Sequence, residues 1–351
     1  MFPPPSRSAP PRPAPAAKHP ARRIALFLLI AGVVALAARQ VYTLGASWSA
    51  AFHLIGQLAW QWPVALGVVW LLGLCAHTIV LTASMPGLTK RRALMLNLAG
   101  SAVSNVLPLG GVAGTALNLG MVRGWGHNGQ DFARFTIVSK AWDVVAKLVM
   151  PLLAVSTLVL LDRVELGGPA WWWLSGAALS ALAGGLLVTA LMGRATPLLR
   201  VVVLAERVTR RRDAAWTTAV SVLLEGTDRL VRRRWAELSG GMAGYLVLQG
   251  LLFWLSLTAV GVHLPLTVVF AGLVAERALT LLAITPGGTG PVEAGTVALL
   301  VALGADPTSV LAGVLLYRGF VFVAEIPFGG VATAVWALSR RSAGRLAVVA
   351  R

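Results

Sequence analysis

The residues of this chain with the clearest capacity for chemistry lie together at 276–295, which read ERALTLLAITPGGTGPVEAG. Glu276 and Arg277 are adjacent charges inside an apolar run, and the segment PGGTG at 286–290 cannot remain helical. Irregular backbone at membrane depth is tolerated only where protein or a water-filled cavity satisfies its polar groups. Ionisable side chains at that depth are candidates for function. The stretch is therefore predicted to form half of a polar site.

These residue types suggest the binding of a phosphate-bearing headgroup. A helix that restarts at Pro291 would point N–H groups and the positive end of its dipole toward the break. Arg277 and Arg318 could donate hydrogen bonds to phosphate oxygens. Glu293, in the first turn of that helix, could neutralise the dipole, compete with the phosphate or receive a cationic headgroup. A phospholipid headgroup entering sideways from the bilayer is the most economical ligand, and nothing distinctive selects a water-soluble alternative.

A second candidate half-site lies at 94–120, LMLNLAGSAVSNVLPLGGVAGTALNLG. One narrow helical face there carries Asn97, Ser101, Ser104 and Asn105. The break that follows this face contains Pro108, Gly110 and Gly111. The pattern predicts a re-entrant hairpin of two half-helices. Close helix packing through small residues is the alternative, but it does not account for Asn105 beside the break.

The two breaks resemble each other, because each combines Pro with a Gly pair in apolar sequence and each accompanies intramembrane charge. Interrupted segments at corresponding positions in two halves of a chain point to a transporter's substrate site. The short likeness also suggests an internal repeat.

The elements that must position these residues are membrane helices. Of 351 residues, 57% are hydrophobic and only 12% are charged, with a mean hydropathy of +0.77. The sequence predicts an all-α polytopic integral membrane protein with about seven to eight spans, and it lacks the alternating ten-residue segments of a barrel. The predicted spans are 24–38, 63–84, 137–161, 170–192, 242–260, 264–284 and 308–338. Residues 39–62 are predicted as an outer interfacial segment, and 292–303 as a half-helix or a thinned further crossing.

The net charge of +17 would suggest nucleic acid in a soluble chain, but most Lys and Arg lie between the spans on one predicted side. This asymmetry places both termini in the cytoplasm. The excess charge can attract an anionic membrane surface, and no nucleic-acid partner is predicted. The single cysteine, Cys75, excludes an intramolecular disulfide and any Cys-based metal site.

Three segments divide the chain by composition. Residues 1–20 are predicted to be a disordered, basic, Pro-rich arm, 21–338 the membrane domain, and 339–351 a basic cytoplasmic tail. Within the membrane domain, 194–240 is predicted to be a basic amphipathic connector that lies on the anionic cytoplasmic surface. The first span is predicted to be uncleaved, despite its likeness to a signal peptide.

Charges occur in the other spans as well. Lys140, Asp143 and Lys147 lie on one stripe of the third span. They form either a neutralising Lys140–Asp143 pair with a snorkelling Lys147, or part of a ligand site. In the last span, Arg318 and Glu325 are one heptad apart.

Two further features concern the spans themselves. Pro327 is predicted to kink the last span. His77, in the second span, is predicted to be a satisfied packing residue rather than a ligand.

The C-terminal part resembles the lysylphosphatidylglycerol synthase transmembrane, or flippase-like, family, whose pattern is P-G-G-x-G-x-x-E followed by Y-R. The residues that match are Pro286, Gly287, Gly288, Gly290, Glu293, Tyr317 and Arg318. In the first half, Asn105, Pro108, Gly110 and Gly111 are similar to that family's N-x-x-x-P and glycine segment. The resemblance covers roughly residues 24–338. Where members often read E-R-x-x-D, this chain has Ser139, Lys140 and Asp143.

The resemblance implies a multi-pass protein of the bacterial plasma membrane, similar to the flippase half of multiple peptide resistance factors. Such a protein would move an anionic or aminoacylated phospholipid, or a lipid-linked precursor, between leaflets. No aminoacyl-transferring domain, catalytic residue, metal or cofactor is predicted. The predicted headgroup-binding residues are Glu276, Arg277, Pro286, Gly287, Gly288, Gly290, Glu293, Tyr317, Arg318, Asn105, Pro108, Gly110, Gly111, Lys140 and Asp143.

Two alternatives remain open at this point. One is a membrane-embedded transferase acting on a lipid carrier, which would need a cluster of acids or metal ligands that the sequence does not offer. The other is a non-transporting partner of a lipid-modifying enzyme, in which the buried charges would be structural. No ATP-binding loop is present, so uphill transport would draw on ion or potential coupling, while passive scrambling is also allowed.

Overall fold

A computed structural model describes residues 20–107, 110–160, 169–192, 227–281 and 285–349, and its elements are all helical. The prediction of an all-α membrane protein is confirmed. The helices are α1 (Pro20–Thr43), α2 (Trp48–Gly56), α3 (Gln61–Ser84), α4 (Lys90–Val106), α5 (Gly110–Gly124), α6 (Gly129–Leu160), α7 (Pro169–Leu191), α8 (Thr227–Ala259), α9 (Leu266–Leu281), α10 (Pro291–Ala302), α11 (Pro307–Arg318) and α12 (Glu325–Val349). A 3₁₀ turn (Pro286–Gly288) precedes α10, and a π-helical segment (Gly319–Val323) joins α11 to α12.

Three helices of the described residues are long and apolar enough to cross a membrane: α3, α8 and the continuous run Pro307–Arg340. The pair α1–α2 makes a fourth if it is one span, and its two helices meet at 85°. The seven to eight predicted spans also counted shorter and more charged helices, so that number stays a prediction. The interfacial segment predicted at 39–62 contains this bend, followed by α2.

The first broken segment is a helical hairpin of α4 and α5. Gly114 lets the two helices touch, because a Cβ built there would lie 2.5 Å from the carbonyl oxygen of Gly100. The hydroxyl of Ser104 donates to the carbonyl oxygen of Gly110 across the bend, at 3.2 Å. Pro108 lies outside the described residues. The hairpin has the predicted half-helix, break and half-helix, while its depth in a bilayer stays a prediction.

The second broken segment is the hairpin of α9 and α10, with the 3₁₀ turn at its tip. Gly287, Gly288 and Gly290 have φ values of +57°, +75° and +96°, a region that side chains with a Cβ rarely adopt. α10 is only 12 residues long and packs against α9 and α1. Its length matches the half-helix that was one of the two predictions for 292–303, the other being a thinned further crossing.

The predicted boundary between the connector (194–240) and the fifth span (242–260) lies inside one continuous helix. Residues 193–226 lie outside the described residues, and from Thr227 to Ala259 the chain is one 33-residue helix, α8. The helix continues through Gly240 and Gly241 because it packs along α3 there. A Cβ at Gly241 would lie 3.1 Å from Ile79 and Val80.

The last predicted span departs from α-helical geometry about one turn before Pro327, where the kink was predicted. Pro327 offers no N–H, and its ring would clash with the carbonyl of Val323 in an ordinary helix. The chain accommodates this with the π-helical turn at Gly319–Val323, where the N–H of Ala324 donates to Gly319 O at 2.8 Å. Such bulges in helices often occur at functional sites.

Replacing Asp306, the cap of α11, is expected to weaken the fold at neutral pH. Its carboxylate accepts a hydrogen bond from the N–H of Ser309 at 2.8 Å, and this bond lowers the pKa of Asp306. Because the folded-state pKa is depressed, the stabilisation is present at neutral pH and is lost as the pH falls through the folded value. Asp306→Ala should cost about 1 kcal/mol at pH 7.

Thermal unfolding in detergent, followed by tryptophan fluorescence, measures this effect. Asp306→Asn is the matched control, since its amide oxygen keeps the cap but does not titrate. An equal loss for Asp306→Ala at pH 7 and at pH 3 would contradict the assignment.

Candidate functional site

A polar cavity of about 520 Å³ lies where the two hairpin tips meet, and α3, α6, α8 and α12 complete its walls. Ten of the predicted site residues line it: Asn105, Gly110, Gly111, Lys140, Asp143, Arg277, Pro286, Gly287, Gly288 and Arg318. The structure therefore brings residues from both halves of the chain to one cavity. Whether they bind a headgroup stays a prediction.

Phe322, in the π-helical segment, joins the two tips. The side-chain amide of Asn105 donates to the carbonyl oxygen of Phe322 at 3.2 Å. On the other side, the Phe322 ring fills the space where Gly287 would carry a Cβ, and the guanidinium of Arg318 lies 5.1 Å from the ring centroid. The position of this segment is thus fixed by both breaks at once.

Glu276 is the centre of a buried charge network. Its side chain is 0% exposed. It accepts hydrogen bonds from the neighbouring Arg277, including one from Nη2 at 2.9 Å, and from Nη1 of Arg318 at 3.5 Å. Adjacent residues on a helix project about 100° apart. The side chains of Glu276 and Arg277 instead turn toward each other, which cancels two charges that would be costly to bury alone.

Arg277 also connects this network to α8. Its Nη2 donates to the hydroxyl of Tyr317 at 2.9 Å. That hydroxyl donates to Gln249 at 3.1 Å, and the Gln249 amide donates to Tyr245 at 2.8 Å. The chain of hydrogen bonds runs from the second hairpin through α11 to α8, and it satisfies polar groups that lie in apolar surroundings.

Arg318 holds the second tip. Its Nε donates to Glu293 at 2.8 Å, and its Nη2 donates to the carbonyl oxygen of Gly287 at 2.6 Å. Glu293 in turn accepts from the N–H of Gly290 at 2.7 Å, which is the carboxylate half of a capping box at the start of α10. Of the three roles left open for Glu293, this geometry matches neutralisation of its own helix terminus.

Four predicted site residues do not line the cavity: Glu276, Gly290, Glu293 and Tyr317. They lie behind its wall, where they hold Arg277, Arg318 and the glycine turn in place. Both arginines donate several of their N–H groups to these protein partners. The N–H end of α10 is likewise occupied by the Glu293 carboxylate rather than open to a phosphate.

The charged stripe of α6 is paired differently from the prediction. Asp143 forms its ion pair with Lys147, at 2.9 Å, and not with Lys140. The spacing of four residues brings the longer Lys147 side chain alongside the carboxylate. Lys140 is exposed on the cavity wall. The structure describes no ion pair for it within the covered ranges.

Several lining residues were not selected from the sequence as binding residues. They include Asn97, Ser101, Asn118, Thr136, Ser139, Tyr245, Phe322 and Glu325. His77, predicted to be a packing residue, also lines the cavity, and its ring stacks on Tyr245 with centroids 4.7 Å apart. A signal was available for Tyr245 and Gln249, since they are two polar residues four apart in an otherwise apolar span.

Glu325 differs from the other acids of this region. Asp143, Glu276 and Glu293 each pair with a cation. Glu325 instead accepts a hydrogen bond from the neutral amide of Asn105, at 3.4 Å. Among the described residues it forms no ion pair within 4 Å.

The charges of the cavity and of the groups behind it balance. The cations are Lys140, Lys147, Arg277 and Arg318, and the anions are Asp143, Glu276, Glu293 and Glu325. The described residues hold no group of three His, Cys, Asp or Glu side chains that could bind a metal ion. The arrangement is suited to binding a polar group.

Comparison with protein families gives one match, to a family model described as the lysylphosphatidylglycerol synthase TM region, over residues 23–329. The matched range includes both hairpins and the cavity between them. Comparison with curated proteins and with solved structures found no match.

Proposed function

Because the chain belongs to the family of the lysylphosphatidylglycerol synthase TM region, we propose that it moves a lipid between membrane leaflets. The lipid would be an anionic or aminoacylated phospholipid, or a lipid-linked precursor. The protein would lie in the plasma membrane of a bacterium, with both termini in the cytoplasm. No catalysed bond change is part of the proposal.

The observation that carries this proposal is the polar cavity at the meeting point of two broken hairpins. Its volume of about 520 Å³ falls in the range of small-ligand sites. This is room for a headgroup, while acyl chains could remain in the bilayer. Broken membrane helices are tolerated where they line such a cavity.

Lys140 is the cation best placed to meet a phosphate. Its side chain is exposed to the cavity, whereas Lys147 is held by Asp143. Arg277 and Arg318 are largely engaged by carboxylates and other oxygens. Asn97, Thr136 and Ser139 offer neutral hydrogen-bonding groups along the same walls.

The proposed orientation is supported by an aromatic and basic cluster at one end of the helices. Arg92, at the start of α4, lies over the ring of Trp125 at 5.2 Å, and Arg340 in α12 lies over Trp336 at 5.4 Å. Basic residues mixed with tryptophan are typical of the cytoplasmic interface. Anionic lipids of that leaflet, and a lipid-modifying enzyme nearby, would be the partners.

Lys140→Gln is expected to slow headgroup-selective lipid movement by about ten- to a hundredfold, since a charge-assisted hydrogen bond contributes roughly 1.5–3 kcal/mol. The assay uses proteoliposomes with fluorescent phosphatidylglycerol or a lysyl-phosphatidylglycerol analogue. Quenching from outside reports the probe that has moved. Lys90→Gln is the matched control, because Lys90 is exposed at the start of α4 and does not line the cavity.

The outcomes separate the candidate functions. Movement slowed in folded Lys140→Gln and unchanged in Lys90→Gln supports transport through this cavity. No movement above protein-free vesicles for either lipid would refute the proposal and favour a transferase or a non-transporting partner. Equal slowing by both variants would point to a general charge effect instead.

A further inference from the structure

We propose that Glu325 binds a proton together with the lipid headgroup, so that an anionic lipid and a proton cross the membrane as a pair. This inference rests on the proposed lipid movement. It goes beyond that proposal by assigning an energy source and the residue that carries the proton.

The first argument is the pairing pattern of the acids. Three of the four carboxylates of the site each contact a lysine or an arginine. Glu325 faces the cavity, and its hydrogen-bonding partners are the neutral side chains of Asn105 and Ser101. The Asn105 amide can donate to a carboxylate and equally to the carbonyl oxygen of a carboxylic acid, so it keeps its bond to the carbonyl oxygen of Phe322 in both cases. Glu325 can therefore be accommodated in either protonation state without loss of its partner.

The second argument is charge balance. With Glu325 ionised, the four cations and four anions of the site cancel. Adding a headgroup of one negative charge would leave an uncompensated anion in a low-dielectric cavity, which is costly. A proton taken up from cavity water by the Glu325 carboxylate restores neutrality. The headgroup and the proton thus favour each other's binding.

The third argument is the position of Glu325 in the fold. It begins α12 directly after the π-helical segment, and through Asn105 it connects this segment to the tip of the first hairpin. The segment also contacts the second hairpin, through Phe322 and Gly287. The proposed proton-binding group therefore lies where the two hairpins and the π-helical segment meet.

Polar and charged side chains from several helices lie around Glu325 or share its cavity. Those that interact with it are Ser101 and Asn105 on α4, Arg277 on α9, Arg318 on α11 and Tyr245 on α8. The same cavity is lined by His77 on α3 and by Lys140, Asp143 and Lys147 on α6. The arginines and Asp143 are already paired, so Glu325 and His77 are the two side chains to compare as proton carriers.

The test uses full-length protein in proteoliposomes with fluorescent phosphatidylglycerol and a trapped pH indicator. At one proton per lipid, a gradient of one pH unit can sustain a concentration ratio of about tenfold. Wild type should accumulate the probe on the alkaline side and carry protons with it. Clamping the membrane potential should not change the result, because the pair is neutral. Protein-free vesicles under the same gradient set the baseline.

Glu325→Gln should reduce the effect of the pH gradient to that of protein-free vesicles and abolish lipid-dependent proton flux. His77→Gln should keep the response to the gradient. Loss of the response in His77→Gln but not in Glu325→Gln would overturn the assignment. Lipid movement by wild type that ignores the gradient would overturn proton coupling while leaving the proposed function intact. Absence of movement at any pH would refute the proposed function itself.

A measurement on wild type covers the case in which Glu325→Gln does not fold. Short-chain phosphatidylglycerol is added to the protein in weakly buffered detergent, and an indicator dye reports the protons taken up. We expect about one proton for each lipid bound. Binding without proton uptake would refute the inference.

Discussion

Replacing Glu276 with glutamine is expected to lower the unfolding free energy by about 3–5 kcal/mol, although the two side chains have nearly the same shape. Glu276 is fully buried and accepts hydrogen bonds from both Arg277 and Arg318. An amide would leave one positive charge of this network uncompensated. It would also turn one acceptor into a donor that faces a guanidinium. The apparent melting temperature in detergent, followed by tryptophan fluorescence, should fall clearly.

Glu237→Gln is the matched control. Glu237 also pairs with an arginine, Arg234, at 2.7 Å, but this pair is exposed. Exposed ion pairs contribute about 0.2–1 kcal/mol, so the control should change little. Similar small losses in both variants would show that the buried network does not depend on its charge.

A double variant tests the cause. Removing one cation as well, as in Glu276→Gln with Arg277→Gln, restores the charge balance of the network. If uncompensated charge is the reason for the loss, the double variant should be more stable than the sum of the two single losses predicts. Additive losses would argue that packing, not charge, is responsible.

The second hairpin could be predicted from the sequence because its cause is local. Proline with three glycines in five residues breaks a helix wherever it occurs, and the observed positive φ angles require glycine at Gly287, Gly288 and Gly290. The polar face before the first break was equally readable, because helical periodicity alone defines it.

The pairing of the charges could not be read in the same way. The sequence gives Asp143 a lysine on each side, and the choice of Lys147 follows from side-chain geometry on the helix. The two arginines were predicted to hold a phosphate, yet most of their contacts are to Glu276, Glu293, Tyr317 and Gly287. Contacts between residues far apart in the chain depend on packing that no local pattern specifies.

The same limit explains why Phe322 and Gly329 were missed. Phe322 is an apolar residue in an apolar span, and only the approach of both hairpin tips gives it a role. Gly329 looks like its neighbour Gly330 in the sequence. In the structure Gly329 contacts α4, whereas Gly330 is exposed.

These two glycines give the final prediction. Gly329→Ala is expected to destabilise the fold by about 1–3 kcal/mol, the usual cost of overpacking. Its Cβ would lie 2.1 Å from the carbonyl oxygen of Leu98 and 2.5 Å from the Cβ of Ala102, so α12 would have to move away from α4. Because this contact involves backbone, no side-chain rotation can relieve it. The shift would also stretch the contact between Glu325 and Asn105, and the pH response of lipid movement should weaken.

Gly330→Ala is the matched control, since nothing lies within 4 Å of the added Cβ. Alanine favours a helix over glycine by about 1 kcal/mol, so this variant should be neutral or slightly more stable. Opposite effects at two adjacent glycines of one helix would separate helix propensity from interhelical contact. Stabilisation by both substitutions would show that α12 does not pack on α4 as closely as the structure has it. The junction proposed for Glu325 would then lose its support.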